Sequence, residues 1–319
     1  MRCSILLASV LLVGCSGKLK LDEATVDAHL DDIDATWPLC STQEAAPSSM
    51  RVVGRELSDL SWAAHATERV LGSTSPRYRS AGSCGGSLDA LSEHANGITD
   101  YELTFAAYCI HSDDGDVVVD GVVRAREEGT PSDSGPIVSA LESSTDGPLT
   151  IAQGGSTMEL TLDDARVQYG IPAAWAPSPP DEQHPDVLTV GGLRAVFPGD
   201  DDREDYVRNL RIERVGSTAA SITIVNGQAG TSGEGHVEVH TAADDPVVFD
   251  FGQLQVTSGT VVLDGAGGSV VTLKPDPSAP GTILLTLDGV PYDRDVDCTA
   301  ARIPLVEVGW ALLMELPIH

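Results

Sequence analysis

Positive charge is scarce in this chain. Lysine stands only at positions 18, 20 and 274, and 19 Lys and Arg face 48 Asp and Glu in 319 residues. A formal charge of −29 repels a phosphate backbone, so nucleic acid is excluded as a partner. Cys-x-x-Cys is missing, which removes the closely paired thiolates that a structural zinc site needs. Gly-x-Ser-x-Gly, His-Glu-x-x-His and a phosphate loop are missing as well. No cofactor and no metal is therefore expected. After the first residues, no segment reads as a transmembrane helix. The run from Leu305 to Leu316 is too short and is broken by Glu307 and Glu315.

What is present is alternation. Between Ser221 and Gly289, Val237 and Val239 alternate with His236, Glu238 and His240, and Val261 and Leu263, Val271 and Leu273, and Ile283, Leu285 and Leu287 continue the pattern. Period-2 spacing places one set of side chains on one sheet face. Asn226-Gly227, Asp264-Gly265 and Asp288-Gly289 read as tight turns, because both dipeptides accept positive φ. The same grammar occupies Ile98 to Val167, where Tyr101, Leu103, Phe105, Ala107 and Cys109 alternate with polar or small residues. There Asp114-Gly115, Asp120-Gly121 and Asp146-Gly147 read as turns. The expected fold is mainly β: an antiparallel meander, a curved sheet or sandwich, with one or two N-terminal helices. The first helix is read over Asp22 to Pro38 and the second over Met50 to Leu71, from apolar steps of three and four.

Several constellations bear on chemistry. His65, Asp89 and Ser134 sit in phrases similar to those of chymotrypsin-like proteases. The 68 residues between His65 and Ser134 are too few for that family's two barrels, and the glycines expected at 132 and 136 are Ser and Pro. The expected list of catalytic residues is therefore empty. His236 and His240 lie about 13 Å apart on an extended strand, too far for one ion. His184 beside Asp181, Glu182 and Asp186 is the better metal candidate, and Asp200-Asp201-Asp202 and Asp293, Asp295 and Asp297 read as solvated acids.

The N-terminus carries the sharpest motif. Arg2 precedes a short apolar run, Ile5 to Val13, which ends in Leu12-Val13-Gly14-Cys15. This resembles the lipobox of bacterial lipoproteins, in which the cysteine is lipidated and becomes the first mature residue. Ser16-Gly17 lacks the Asp that signals inner-membrane retention in enterobacterial members. The resemblance therefore implies lipidation at Cys15 and an outer-membrane anchor, facing periplasm or cell surface. The strand Leu103 to Cys109 followed by Asp120-Gly121 resembles repeats in uncharacterised β-rich bacterial outer-membrane lipoproteins, a likeness that implies no activity. With Cys3 removed and Cys15 lipidated, Cys40, Cys84, Cys109 and Cys298 remain. An even count in an oxidising compartment suggests two disulfides. Of three pairings, Cys84–Cys109 with Cys40–Cys298 is favoured, because the loop between Cys84 and Cys109 is short.

The expected organisation is a signal peptide over 1–14, a tether over 15–21, a helical N-terminal region over 22–97, a first β region over 98–170, a Pro-rich connection over 171–186 and a second β region over 187–319. The two β regions share a Leu-Thr-Leu-Asp phrase, at 160–163 and 285–288, which leaves duplication and common β composition as alternative readings. The expected function is a non-catalytic, lipid-anchored envelope protein with a structural or binding role, held to the membrane by its lipid and open to an unknown protein or lipid partner. A carrier or sensor of an apolar ligand and a hydrolase with a spatially assembled site are the alternatives.

Overall fold

The computed structural model describes residues 17–29, 77–111, 115–130, 137–174, 181–199, 203–216, 219–250, 255–279 and 282–293. They contain one α-helix, α1 (Glu23–His29), and seventeen strands joined in a single antiparallel sheet. The upstream strands are β1 (Arg77–Ala81), β2 (Gly85–Ala95), β3 (Ile98–Ile110), β4 (Val117–Thr130), β5 (Ile137–Thr145), β6 (Leu149–Gln153), β7 (Ser156–Ala174), β8 (Asp186–Phe197), β9 (Arg203–Val215) and β10 (Ala219–Thr231). The downstream strands are shorter: β11 (Gly235–Thr241), β12 (Val247–Asp250), β13 (Gln255–Ser258), β14 (Val261–Asp264), β15 (Val270–Pro275), β16 (Ile283–Leu287) and β17 (Val290–Tyr292).

Most strands pair with their successors, as a meander requires. In two places a pair of strands lies end to end along one long neighbour. Residues 123–130 of β4 pair with β5 and residues 117–120 with β6, and β7 pairs with both from the other side. In the same way β10 carries β12 along residues 219–222 and β11 along residues 228–231. β7 also pairs directly with β8, so the sheet runs unbroken from the first β region into the second.

The long strands keep one apolar face by changing phase midway. In β7 Met158, Leu160 and Leu162 are buried; beyond Asp163-Asp164 the buried set is Ala165, Val167 and Tyr169. β8 passes from Leu188 and Val190 to Leu193 and Ala195, β9 from Val207 to Leu210 and Ile212, and β10 from Ile222 and Ile224 to Ala229. Strict alternation would turn the second set of each strand to solvent. A bulge or a left-handed residue restores it. The register of β7 slips at Asp164, that of β10 slips around Asn226, and Asn209 of β9 sits at φ 51. Asn accepts this conformation more readily than most side chains.

These bulges correct three expected turns. Asp120-Gly121 lies inside β4 and Asn226-Gly227 inside β10, and Asp146-Gly147 joins the collinear β5 and β6 without reversing the chain. At Asp120 the carboxylate accepts the Ala107 backbone N–H at 2.8 Å, where β3 sets Ala106 and Ala107 against Asp120 alone and Ala107 itself has φ 45. Gly86 makes room for this bulge: a Cβ there would lie 1.9 Å from the Ala107 carbonyl oxygen. An Asp-Gly pair has no hairpin to close when both flanking runs already have partners in one ladder. By contrast Asp288-Gly289 does close a hairpin, between β16 and β17.

Other boundaries also move. The helical expectation for 22–97 holds over Glu23–His29 and fails over residues 77–95, where β1 and β2 form. Leu88 and Ala90, buried two apart, are the period-2 signal within that Ser- and Gly-rich stretch. The connection expected from 171 begins later, because β7 continues to Ala174. The second expected helix lies outside the described residues. The two Leu-Thr-Leu-Asp phrases occupy different places, one at the mid-strand bulge of β7 and the other at the hairpin after β16.

One continuous cluster fills the inner face, from Leu88 and Phe105 through Leu162 and Leu193 to Leu263 and Leu285. Each such side chain contributes about 1.5–3 kcal/mol on full burial, so the upstream and downstream strands are held by one shared core.

Candidate functional site

The chain from Gly17 to Leu21 is built into the sheet. β14 ends opposite Glu238, which leaves the start of β11 without a neighbour on that side. Residues 17–21 fill the gap. Lys18 bridges His236 in parallel, Leu19 N–H donates to the His236 carbonyl at 2.7 Å, and His236 N–H donates to the Gly17 carbonyl at 3.3 Å. The Leu19 carbonyl accepts Ala266 N–H at 2.7 Å, just beyond the end of β14. Leu21 N–H donates to Ser269 Oγ at 2.9 Å, and its side chain is 1% exposed. Lys18 Nζ reaches Glu238 at 2.6 Å and holds that carboxyl below its ordinary range. Asp22 then caps α1 by accepting from Thr25 N–H and Oγ1, and Val26 anchors the helix in the core. The tether expected over 15–21 is therefore, from Gly17 onward, an ordered piece of the sheet.

A second cluster surrounds the disulfide. Cys84 and Cys109 are bonded with Cα atoms 5.1 Å apart, which joins the β1–β2 turn to the end of β3. His111 Nδ1 lies 2.6 Å from Asp116 Oδ1 across the β3–β4 connection. Cys84, His111 and Asp116 form a group whose ligand atoms all fall within 4.8 Å of one another. Bonding to Cys109 takes the Cys84 thiolate away, so what remains is an exposed His–carboxylate pair. Sequence reading missed it because the three residues come from two separate connections.

The outer face carries alternating charge across the strands. Register aligns Asp100, Arg126, Glu142 and Arg166 in one row. Arg126 Nε donates to Asp100 at 2.7 Å, and Arg166 binds Glu128 at 2.9 Å and also Glu142. In the adjacent row Arg124 spans Glu102 and Asp146. The Arg166 hydrogen bond holds the Glu128 carboxyl below its usual range. These rows wall a groove of about 460 Å³ that also touches Leu91, Tyr101 and Asp164. Opposite charges directly across strands stabilise a sheet modestly.

Among the described residues the remaining candidates do not converge. Asp89 lies in β2, bound by Arg77 and Arg79, whose hydrogen bonds hold its carboxyl far below the ordinary range. His65 and Ser134 lie outside the described residues, as do Cys15, Cys40, Cys298, Asp200 to Asp202, Asp295 and Asp297. His184 pairs with Asp181 at 3.0 Å, but Asp186 is buried and turned to Arg214 at 2.5 Å, so that metal set is divided. His236, Glu238 and His240 share the half-buried outer face of β11, with His240 Nδ1 3.5 Å from Asp264.

Comparison with known family models, curated proteins and solved structures finds no match for this chain. The fold and the charged outer face define a single-sheet antiparallel β protein. Among the described residues no helix is long and apolar enough to cross a membrane.

Proposed function

We propose that this chain is a lipid-anchored envelope protein of the bacterial outer membrane, lipidated at Cys15, with a structural or binding role and no catalytic centre. The lipobox-like phrase Leu12-Val13-Gly14-Cys15 carries the reading. Its position supports it: it ends two residues before Gly17, which is hydrogen-bonded to the sheet at His236. A cleaved leader would leave Cys15 at the start of a body that is already folded from its third residue. The charged side chains along the groove and the apolar cluster packed on the inner face favour contact with a polar partner over storage of an apolar ligand.

Metabolic labelling with a palmitate analogue tests the reading. The wild-type chain should become labelled and fractionate with outer membranes, and Cys15→Ala should do neither. Equal labelling of the two chains would remove the anchor from the account.

A further inference from the structure

We infer that the body sits directly on the bilayer through one defined end of its sheet, the end formed by the β10–β11 and β8–β9 turns. The inference rests on lipidation at Cys15 and adds an orientation to it. Only Ser16 separates Cys15 from Gly17, and Gly17 is hydrogen-bonded to His236. Two residues reach at most about 7 Å. The acyl-bearing sulfur therefore lies within one side-chain length of that radius around Gly17.

The described segment also has a defined direction. Residues 17–19 run parallel to β11, with Gly17 at the Gly235 end, so continuing the chain backward leads past Gly235 toward the turn at 232–234. Ser232 and Glu234 are exposed there, and the neighbouring β8–β9 connection exposes Pro198 and Gly199. Ser232 N–H donates to the Glu204 carbonyl at 2.8 Å, which ties the two turns together. The opposite end carries the β7–β8 connection with the exposed Glu182. β8 has 12 residues, so at about 3.3 Å each the two ends stand up to about 40 Å apart. With so short a link the bilayer meets the 198–199 and 232–234 turns, and Glu182 points away from it. The partner surface is the lipid headgroup layer.

The test uses the chain from Cys15 to His319 with a lipid thioester ligated to its N-terminal cysteine, which bypasses cellular lipidation. A fluorophore is placed through a non-natural amino acid at position 232, at 198 or at 182, and the protein is bound to phosphatidylcholine vesicles carrying a headgroup nitroxide quencher. Several-fold greater quenching is expected at 232 and 198 than at 182. A Gly-Ser insertion of about twenty residues between Ser16 and Gly17, spanning about 25 Å on average, should abolish that difference. Equal quenching at all three sites, or a contrast that survives the insertion, overturns the seating. Because the lipid is attached chemically, either result is independent of whether cells lipidate Cys15.

Discussion

The upstream and downstream parts of the sheet solve one problem in two ways. From β2 to β10 most strands run 9–19 residues and keep their apolar face through mid-strand bulges. From β11 to β17 the strands have 3–7 residues, and turns do the work that bulges do upstream. Short strands leave gaps in the ladder, and residues 17–21 close one of them beside β11. Long strands resist fraying by length, whereas the short ones depend on a segment borrowed from the other end of the chain.

If the shared core makes the two parts one cooperative unit, truncations in either should shift a single transition. Phe105→Ala upstream should cost about 3–5 kcal/mol and Leu263→Ala downstream about 2–5 kcal/mol, read by chemical denaturation. Two separate transitions would break the comparison. Next in size is the disulfide, which only the upstream part has among the described residues. Cys84→Ser with Cys109→Ser removes the bond that closes a loop of 25 residues' separation and should cost about 3 kcal/mol, with the apparent midpoint falling under reducing conditions in the wild type alone.

A smaller effect separates the two uses of Asp-Gly. Asp120→Ala removes the acceptor for Ala107 N–H at a bulge, and Asp288→Ala removes the acceptor for Val270 N–H at a hairpin. Each should cost about 1 kcal/mol, but only the first should raise hydrogen exchange in the middle of β3 and β4. The smallest effect is on pH. Glu128, Glu238 and Asp89 are all held below the ordinary carboxylate range by Arg or Lys partners. A carboxylate lowered in this way stabilises the fold above its unfolded value of about 4, and that contribution fades as pH falls through the folded value. Glu128→Gln should flatten the loss of global stability as pH falls below about 4, whereas Glu238→Gln should act on local opening of the N-terminal segment, read by hydrogen exchange.

Much of this was legible in the sequence. Alternation at Tyr101, Leu103 and Phe105 and at Val237 and Val239 gave strands, and close spacing gave the Cys84–Cys109 bond. The bulges were partly legible: the buried set in β7 changes from even to odd numbers across Asp163-Asp164, which a strict alternation rule passes over. What could not be read is what depends on distant residues. Nothing in Asp120-Gly121 says that both flanking runs share one ladder. Nothing in Lys18 to Leu21, short and half-polar, says that β14 ends opposite Glu238, three residues short of the start of β11, and leaves an edge for it. The His111–Asp116 pair needs the β3–β4 register before it exists.

The docked N-terminal segment is the pivot, because both the proposed seating on the bilayer and the stability of the short strands depend on it. Residue-resolved hydrogen exchange of the 15–319 chain tests it directly. Amides of Leu19, Leu21, His236 and Ala266 should be protected to the same depth as those of Val237 and Val239. Exchange of Leu19 and Leu21 at the rate of an unstructured chain, beside a protected β11, would contradict it.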